Sequence, residues 1–178
     1  MAEIGIFFGS TTGKTRMAAE AIQQAFGRGR VDLFDIAKAT PSDLSSYRLL
    51  ILGVSTWGIG DLQDDWDINL NLLEQVDFSG KRVALFGLGD ASGYPDSFLD
   101  AMGSLYEAVR KHGVETIGHW SAEDYLFTAS RAINEGRFVG LALDADNEDH
   151  MSRQRISQWV DQLTGEAGLQ GETEWKPC

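Results

Sequence analysis

The stretch FFGSTTGKTR (7–16) ends an apolar run in hydroxyl residues, glycines and a lysine, a composition suited to holding a phosphate. A nucleoside triphosphate loop needs four residues between its glycines before the Lys-Ser/Thr pair. Here only Ser10, Thr11 and Thr12 separate Gly9 from Gly13, so the triphosphate reading fails. An anion cradle remains. A strand ending at Gly9 and a helix beginning near Thr15 leave unpaired N–H groups and the positive end of the helix dipole facing the loop. Ser10, Thr11, Thr12 and Thr15 add hydroxyl donors, which suits one phosphomonoester held without metal, and Lys14 need not touch it. A Ser/Thr helix cap without any ligand satisfies this loop equally well.

Two further loops bear on that choice. STWGIGD (55–61) and LGDASGYPDSF (88–98) each follow an apolar, strand-like run, and each carries an aromatic residue, Trp57 or Tyr94, beside glycines. In a doubly wound sheet, ligands bind beyond the carboxyl ends of the strands, so all three loops emerge on one edge. Two aromatics facing one cradle form a slot for a planar ring.

The elements that must position these loops alternate along the chain. EIGIFFG (3–9), RVDLFDI (30–36), LLILGVS (49–55), RVALFGLG (82–89), ETIGHW (115–120) and RFVGLALD (137–144) read as strands, several continuously apolar as buried parallel strands are. Helices are expected over 14–26, 64–76, 96–113 and 152–165. In the third, Phe98, Leu99, Met102, Leu105, Tyr106 and Val109 make one apolar face, and Gly113 is a helix stop. Such alternation predicts an α/β fold of right-handed βαβ units with helices on both faces of a parallel sheet. The segment 121–136 interrupts the last strand region as an excursion, and the pattern fades after Thr164 into an expected loose tail, 165–178, that carries Trp175.

The chain has 178 residues, 15 Lys+Arg against 27 Asp+Glu and a formal charge of −12. That field disfavours nucleic acid and anionic membranes, whose phosphates must be neutralised by cations; a basic protein partner and acidity that serves solubility alone account for it equally well. No apolar run is long enough to span a bilayer, and no secretory signal is visible. Cys178 is the sole cysteine, which fits a reducing cytoplasm. His112, His119 and His150 lie on separate segments without ligand spacing, so neither a metal nor a hydrolytic site is expected.

Taken together, GSTTGKT (9–15), STWGIGDLQDDW (55–66), GLGDASGYPDSF (87–98) and GHWSAEDYLF…GRFVGLALDADN (118–147) resemble the flavodoxins, specifically the long-chain class. The resemblance covers residues 3 to about 164. It implies a flavodoxin-like five-stranded sheet of order 2-1-3-4-5, an insertion in the last strand, and an FMN-binding domain over 1–164. It also implies noncovalent FMN and a low-potential single-electron carrier, not an enzyme, shuttling between semiquinone and hydroquinone. Carried over residue by residue, Ser10, Thr11, Thr12, Gly13, Lys14 and Thr15 hold the phosphate, Ser55 and Thr56 lie near the ribityl chain, and Trp57 and Tyr94 sandwich the ring. The backbone of Gly58, Ile59 and Gly60, and of Leu88, Gly89 and Asp90, reaches its polar edge; Ser97, Phe98 and Asp146 are peripheral contacts. Ser55 stands where proline is more usual and Ala91 where glutamine is frequent. Implied partners are an NADPH-dependent flavodoxin reductase and an acceptor enzyme, docked transiently to a cytoplasmic monomer. Asp61, Asp64, Asp65 and Asp67 after Trp57, with Asp96 and Asp100 after Tyr94, are expected to line the docking rim.

Two rivals share this topology. A flavin-dependent reductase of the quinone reductase type needs substrate space over the ring. A phospho-receiver domain needs a carboxylate cluster after the first strand and an acceptor Asp after the third, where this chain has FFGS and GVST.

Overall fold

A computed structural model describes residues 2–169. Its central sheet is parallel, with strands β1 (Ile4–Phe8), β2 (Val31–Asp35), β3 (Leu49–Trp57), β5 (Arg82–Leu88) and β10 (Leu141–Leu143) in the spatial order β2-β1-β3-β5-β10. A two-residue strand β4 (Asp61–Leu62) folds back antiparallel on the end of β3. The edge beyond β5 is filled in two pieces. β6 (Glu115–Ile117) pairs with Arg82–Ala84, and β10 pairs with Phe86–Leu88. The expected order 2-1-3-4-5 is therefore present, its fifth strand split by an insertion.

Alternating side chains of the strands feed two cores. Ile4, Ile6 and Phe8 of β1, with Ile51, Ala84 and Phe86, pack against Ala18, Ala19, Ile22 and Phe26 of α1 (Lys14–Phe26) and Ile156, Trp159, Val160 and Leu163 of α5 (Asp149–Glu166). Phe7, Leu50, Leu52, Val54, Val83 and Leu85 face the other way. They meet Leu44 of α2 (Pro41–Ser45), Trp66 of α3 (Asp64–Asn69) and Leu105 and Val109 of α4 (Asp100–Arg110). Burial of the strands from both sides accounts for their continuously apolar runs. Among the described residues no helix is long and apolar enough to cross a membrane.

Where expected elements and structure differ, a local cause is visible. The helix expected over 64–76 is α3 followed by a 3₁₀ stretch, Leu70–Gln75. The Asn69 side chain donates to the Asp65 carbonyl (2.8 Å) at that junction, competing with the helical ladder. The helix expected from residue 96 begins at Asp100. Leu99 is left-handed (φ 60°), and the backbone ahead of it bonds the insertion, with Thr128 and Ala129 N–H donating to the Pro95 carbonyl (2.8 and 3.0 Å). The last helix starts three residues earlier than expected and runs through Glu166, so the tail expected from 165 begins within it. Residues 170–178, with Trp175 and Cys178, lie outside the described residues.

The insertion is wider than 121–136. It leaves the sheet at Gly118 (φ 77°) and returns at Gly140, where any Cβ would collide with the Leu85 carbonyl. Between them β7 (Trp120–Ser121), β8 (Ile133–Asn134) and β9 (Arg137–Phe138) form a small antiparallel sheet. Its Phe127 and Phe138, with Tyr125, pack around Phe98 at centroid distances of 5.6–6.1 Å.

Candidate functional site

At the carboxyl edge of the sheet, the loop after β1 runs from Gly9 to Gly13. Gly13 is the N-cap of α1 in a left-handed conformation (φ 90°), with no side chain capping the helix and no acidic residue in its first turn. The Gly13 N–H is turned inward to Ser10 Oγ (3.0 Å). The helix thus presents its first-turn donors and its positive dipole end with no carboxylate of its own first turn to neutralise them. Gln63, almost fully buried, shapes the loop from outside. Its amide donates to Thr11 Oγ1 (3.1 Å) and to Asp65 (2.9 Å), and with Trp66 it occupies the space a Cβ at Gly9 would need. Trp66 is itself pinned by its indole N–H to the Gly53 carbonyl (2.7 Å).

A cleft of about 300 Å³ extends from this cradle, lined by Thr12, Lys14, Thr15, Ser55, Thr56, Trp57, Gly58, Leu88, Gly89, Asp90, Tyr94, Ala145 and Asp146. Two larger hollows, about 490 and 480 Å³, open at the amino-terminal edge of the sheet and contain no exposed Trp or Tyr. Trp57 and Tyr94 are 41% and 48% exposed. Among the described residues neither stacks on another aromatic ring of the protein. Apolar rings left half open on two loops of one cleft are the signature of a site for a flat ligand.

Each ring is held from behind. The Trp57 indole N–H donates to Ser55 Oγ (2.9 Å), a contact that depends on serine standing at position 55. Gly58 (φ 52°) and Gly60 (φ 94°) then turn the chain into β4, in a region that L side chains adopt at a cost. Thr56 Oγ1 accepts from the Ala101 N–H (3.2 Å), and a Cβ at Gly60 would lie 2.9 Å from Asp100 Oδ2, so this loop rests on the start of α4. On the other side, Asp90 closes a turn by accepting from the Gly93 N–H (2.8 Å), and the Tyr94 N–H donates to the Asp90 carbonyl (2.9 Å). The Gly93 bond, with a second from Asn147, holds the Asp90 carboxyl below the usual carboxylate range.

Charge at the mouth is paired across the cleft. Lys14 Nζ meets Asp146 Oδ1 at 2.6 Å, both half exposed, and that hydrogen bond raises the lysine pKa. Lys14 is therefore engaged by Asp146 at the entrance.

Of the residues expected at a site, the cleft brings together Thr12, Lys14, Thr15, Ser55 through Gly58, Leu88 through Asp90, Tyr94 and Asp146. Ser10, Thr11 and Gly13 belong to the same loop but do not line the cleft. Ile59 (86% exposed) and Gly60 stand on the outer turn. Ser97 and Phe98 do not line the cleft: both are buried, Phe98 at 1% exposure inside the aromatic cluster under the insertion. Asp100 is likewise no rim charge. It is buried, accepting from the Arg131 N–H (2.7 Å). Asp65 is tied to Gln63, whereas Asp61, Asp64, Asp67 and Asp96 are exposed. Sequence reasoning missed Gln63, Ala145, Asp144 and Asn147 as individual site residues, although all lie within the quoted stretches 55–66 and 118–147. Gln63, Asp144 and Asn147 act through partners remote in the chain.

The chain is similar to known proteins along most of its length. The family model described as Flavodoxin matches residues 6–159. A flavodoxin of Synechococcus elongatus is 49% identical over 170 residues, 95% of this chain and 100% of the relative. Flavodoxin 1 of Escherichia coli is 42% identical over 170 residues, 95% and 97% of the two chains. The crystal structure of Fusobacterium nucleatum flavodoxin bound to flavin mononucleotide superposes with a TM-score of 0.88 at 31% identity, covering 93% of this chain and 99% of that one.

Proposed function

The chain belongs to the flavodoxin family, and from that premise we propose that it is a low-potential, single-electron carrier holding FMN noncovalently in the cleft. Residues 1–164 act as one flavin-binding domain of the long-chain class. The observation that carries this reading is the meeting of two half-exposed, unstacked aromatic rings, Trp57 and Tyr94, with the uncapped amino end of α1 in one cleft.

The residues present fit the group. Ser10, Thr11, Thr12 and Thr15, with the N–H groups that follow Gly13, take the phosphate, a dianion that needs donors. Ser55 and Thr56 face the ribityl chain. Trp57 and Tyr94 flank the ring, and the main chain at Gly58–Gly60 and Leu88–Asp90 meets its polar edge. Bound FMN would supply one-electron redox chemistry. The protein holds the ring rigidly, keeps one edge open, and biases the stability of its states. Glycine at 58 (φ 52°) would let its peptide turn and offer the carbonyl as a hydrogen-bond acceptor toward the ring. Carboxylates around the ring, Asp90 and Asp146 among them, disfavour negative charge at N1. At an effective dielectric of 20, one such charge ~8 Å away acts with roughly 2 kcal/mol before screening.

With the ring enclosed between two aromatic walls, a flavin-dependent reductase lacks space for a substrate over either face, so the carrier reading is preferred. The exposed Asp61, Asp64, Asp67 and Asp96 with Ile59 form a docking rim for basic redox partners, namely a reductase of the NADPH-dependent type and an acceptor enzyme. These encounters are transient, and the protein acts in the cytoplasm as a monomer.

The test is reconstitution of the apoprotein. FMN should bind with quenching of its fluorescence, and riboflavin, lacking the phosphate, on the order of a thousandfold more weakly, the loss of two or more hydrogen bonds to a charged group. Inorganic phosphate should compete with FMN. Equal affinity for the two flavins would exclude the cradle as the phosphate site.

A further inference from the structure

The loop that carries Tyr94 is held by an amide from a distant part of the chain. Asn147 Nδ2 donates to Asp90 Oδ1 (2.9 Å) and to both oxygens of Asp144 (2.9 and 3.0 Å). Its two hydrogens thus join two carboxylates that would otherwise repel each other. The donor assignment follows from chemistry, because both partners are acceptors. Asp144 is 2% exposed, and its remaining partners are the N–H groups of Ala91 (3.2 Å) and Asn147 (3.2 Å). Asp90 in turn closes the Asp90–Gly93 turn, and its carbonyl receives the Tyr94 N–H. The Tyr94 turn therefore hangs, through Asp90 and Ala91, on the Asp144–Asn147 corner that follows β10.

That corner is anchored elsewhere. The Glu148 N–H donates to the Asp144 carbonyl (2.7 Å), and the Glu148 carboxylate pairs with the buried Arg155 (2.7 Å), whose guanidinium lies 4.3 Å from the Tyr125 ring centroid. The bridge thus connects the Tyr94 side of the cleft, a glycine-containing loop, to the frame of α5 and the insertion.

We propose that Asn147 is a positioning residue. By spanning Asp90 and Asp144 it fixes the turn that presents Tyr94 to the ring, and through Tyr94 it sets flavin affinity at the ring end and the potential of the second electron. The inference rests on the flavin reading of the cleft for its second half, while the hold on the loop stands on the protein alone.

The test uses the full chain with and without FMN. In the FMN-free protein, amide hydrogen exchange is read at Ala91, Gly93 and Tyr94, with Met17 and Ala18 of α1 as the control. Asn147→Ala should speed exchange at the three loop amides on the order of ten- to a hundredfold, the weight of a hydrogen bond to a charged group, and leave α1 unchanged. In loaded protein, FMN and riboflavin affinities should fall by the same factor, since the phosphate contacts are untouched, and the second-electron potential should rise as it does in Tyr94→Ala. Asn147→Asp keeps the volume but removes the donor and adds a third carboxylate, so it should exceed alanine. Asn147→Ser, which retains one donor, should fall between parent and alanine and serves if the larger changes prevent folding. Unchanged exchange at Ala91, Gly93 and Tyr94, or exchange raised equally in α1, overturns the proposal. So does an effect on FMN that riboflavin does not share. If the parent binds neither flavin, the flavin reading fails while the exchange arm still decides what Asn147 holds.

Discussion

The loop from Gly9 to Gly13 and the loop around Tyr94 sit at opposite ends of one cleft and are shaped by contacts of different reach. In the first, the turn is made by the Gly13–Ser10 bond three residues apart and by the start of the helix that follows; Gln63, Trp66 and the Gly53 carbonyl, which accepts from the Gly9 N–H (3.3 Å), brace it from outside. In the second, Ala91 is held by Asp144 at a separation of 53 residues, Asp90 by Asn147 at 57, and Pro95 by the insertion. A site for a charged, invariant group can be written locally, in backbone donors and hydroxyls. A site whose task is to tune a ring's redox states uses walls whose placement the rest of the fold decides.

If that division is correct, affinity and potential should come apart under substitution. The largest effect is expected at the cradle. Replacing Thr12 and Thr15 by valine preserves shape and removes two hydroxyls, which should weaken FMN binding by about a hundredfold or more. Riboflavin binding and both potentials should stay near the parent values, as measured by fluorescence titration and spectroelectrochemistry. A parallel loss for riboflavin would show that the two ends are not independent.

At the other end, Tyr94→Ala or Trp57→Ala should raise the potential of the second electron, because an electron-rich wall disfavours the anionic flavin. An aromatic contact worth about 1 kcal/mol beyond burial corresponds to roughly 40 mV. Unchanged potentials in both variants would remove these rings from the ligand. Gly58→Val is expected to act on the first electron instead. The left-handed backbone there costs a β-branched residue ~1–2 kcal/mol, and its Cβ would stand 3.2 Å from Asp61 Oδ2. Less one-electron-reduced flavin should accumulate during titration; as much as in the parent would assign the N5 contact to another group.

The smallest effects are expected at the rim. Asp64→Asn with Asp67→Asn removes two exposed charges and spares Asp65, which braces Gln63 behind the cradle. Association with a basic reductase should slow severalfold and lose part of its salt dependence, because screening shortens from ~30 Å at 0.01 M to ~8 Å at 0.15 M salt. FMN affinity should not change. Stopped-flow rates indifferent to salt and to both substitutions would leave these carboxylates a role in solubility alone.

The same contrast of reach explains what was legible in the sequence. The five parallel strand positions and α1 could be read because continuous apolar runs and a helical stripe are local patterns. The cradle could be read because glycine, hydroxyls and helix start are consecutive. The start of α4 could not, since Leu99 adopts φ 60° and residues 95–98 bond the insertion, neither of which leaves a local sign. Phe98 was expected as a peripheral contact through the family resemblance and Asp100 as a rim charge by its nearness to Tyr94; in the fold they face the insertion. Asn147 closes the quoted stretch 118–147, yet nothing local marked its role, which exists only once β10 lies beside β5.

A spectroelectrochemical titration of the FMN-loaded protein, with NADPH oxidation followed in parallel, distinguishes a one-electron carrier from a flavin enzyme. Two well-separated one-electron steps are expected, the second far below the first, with no steady NADPH oxidation by the protein alone. A single two-electron step accompanied by sustained NADPH consumption would contradict the carrier reading.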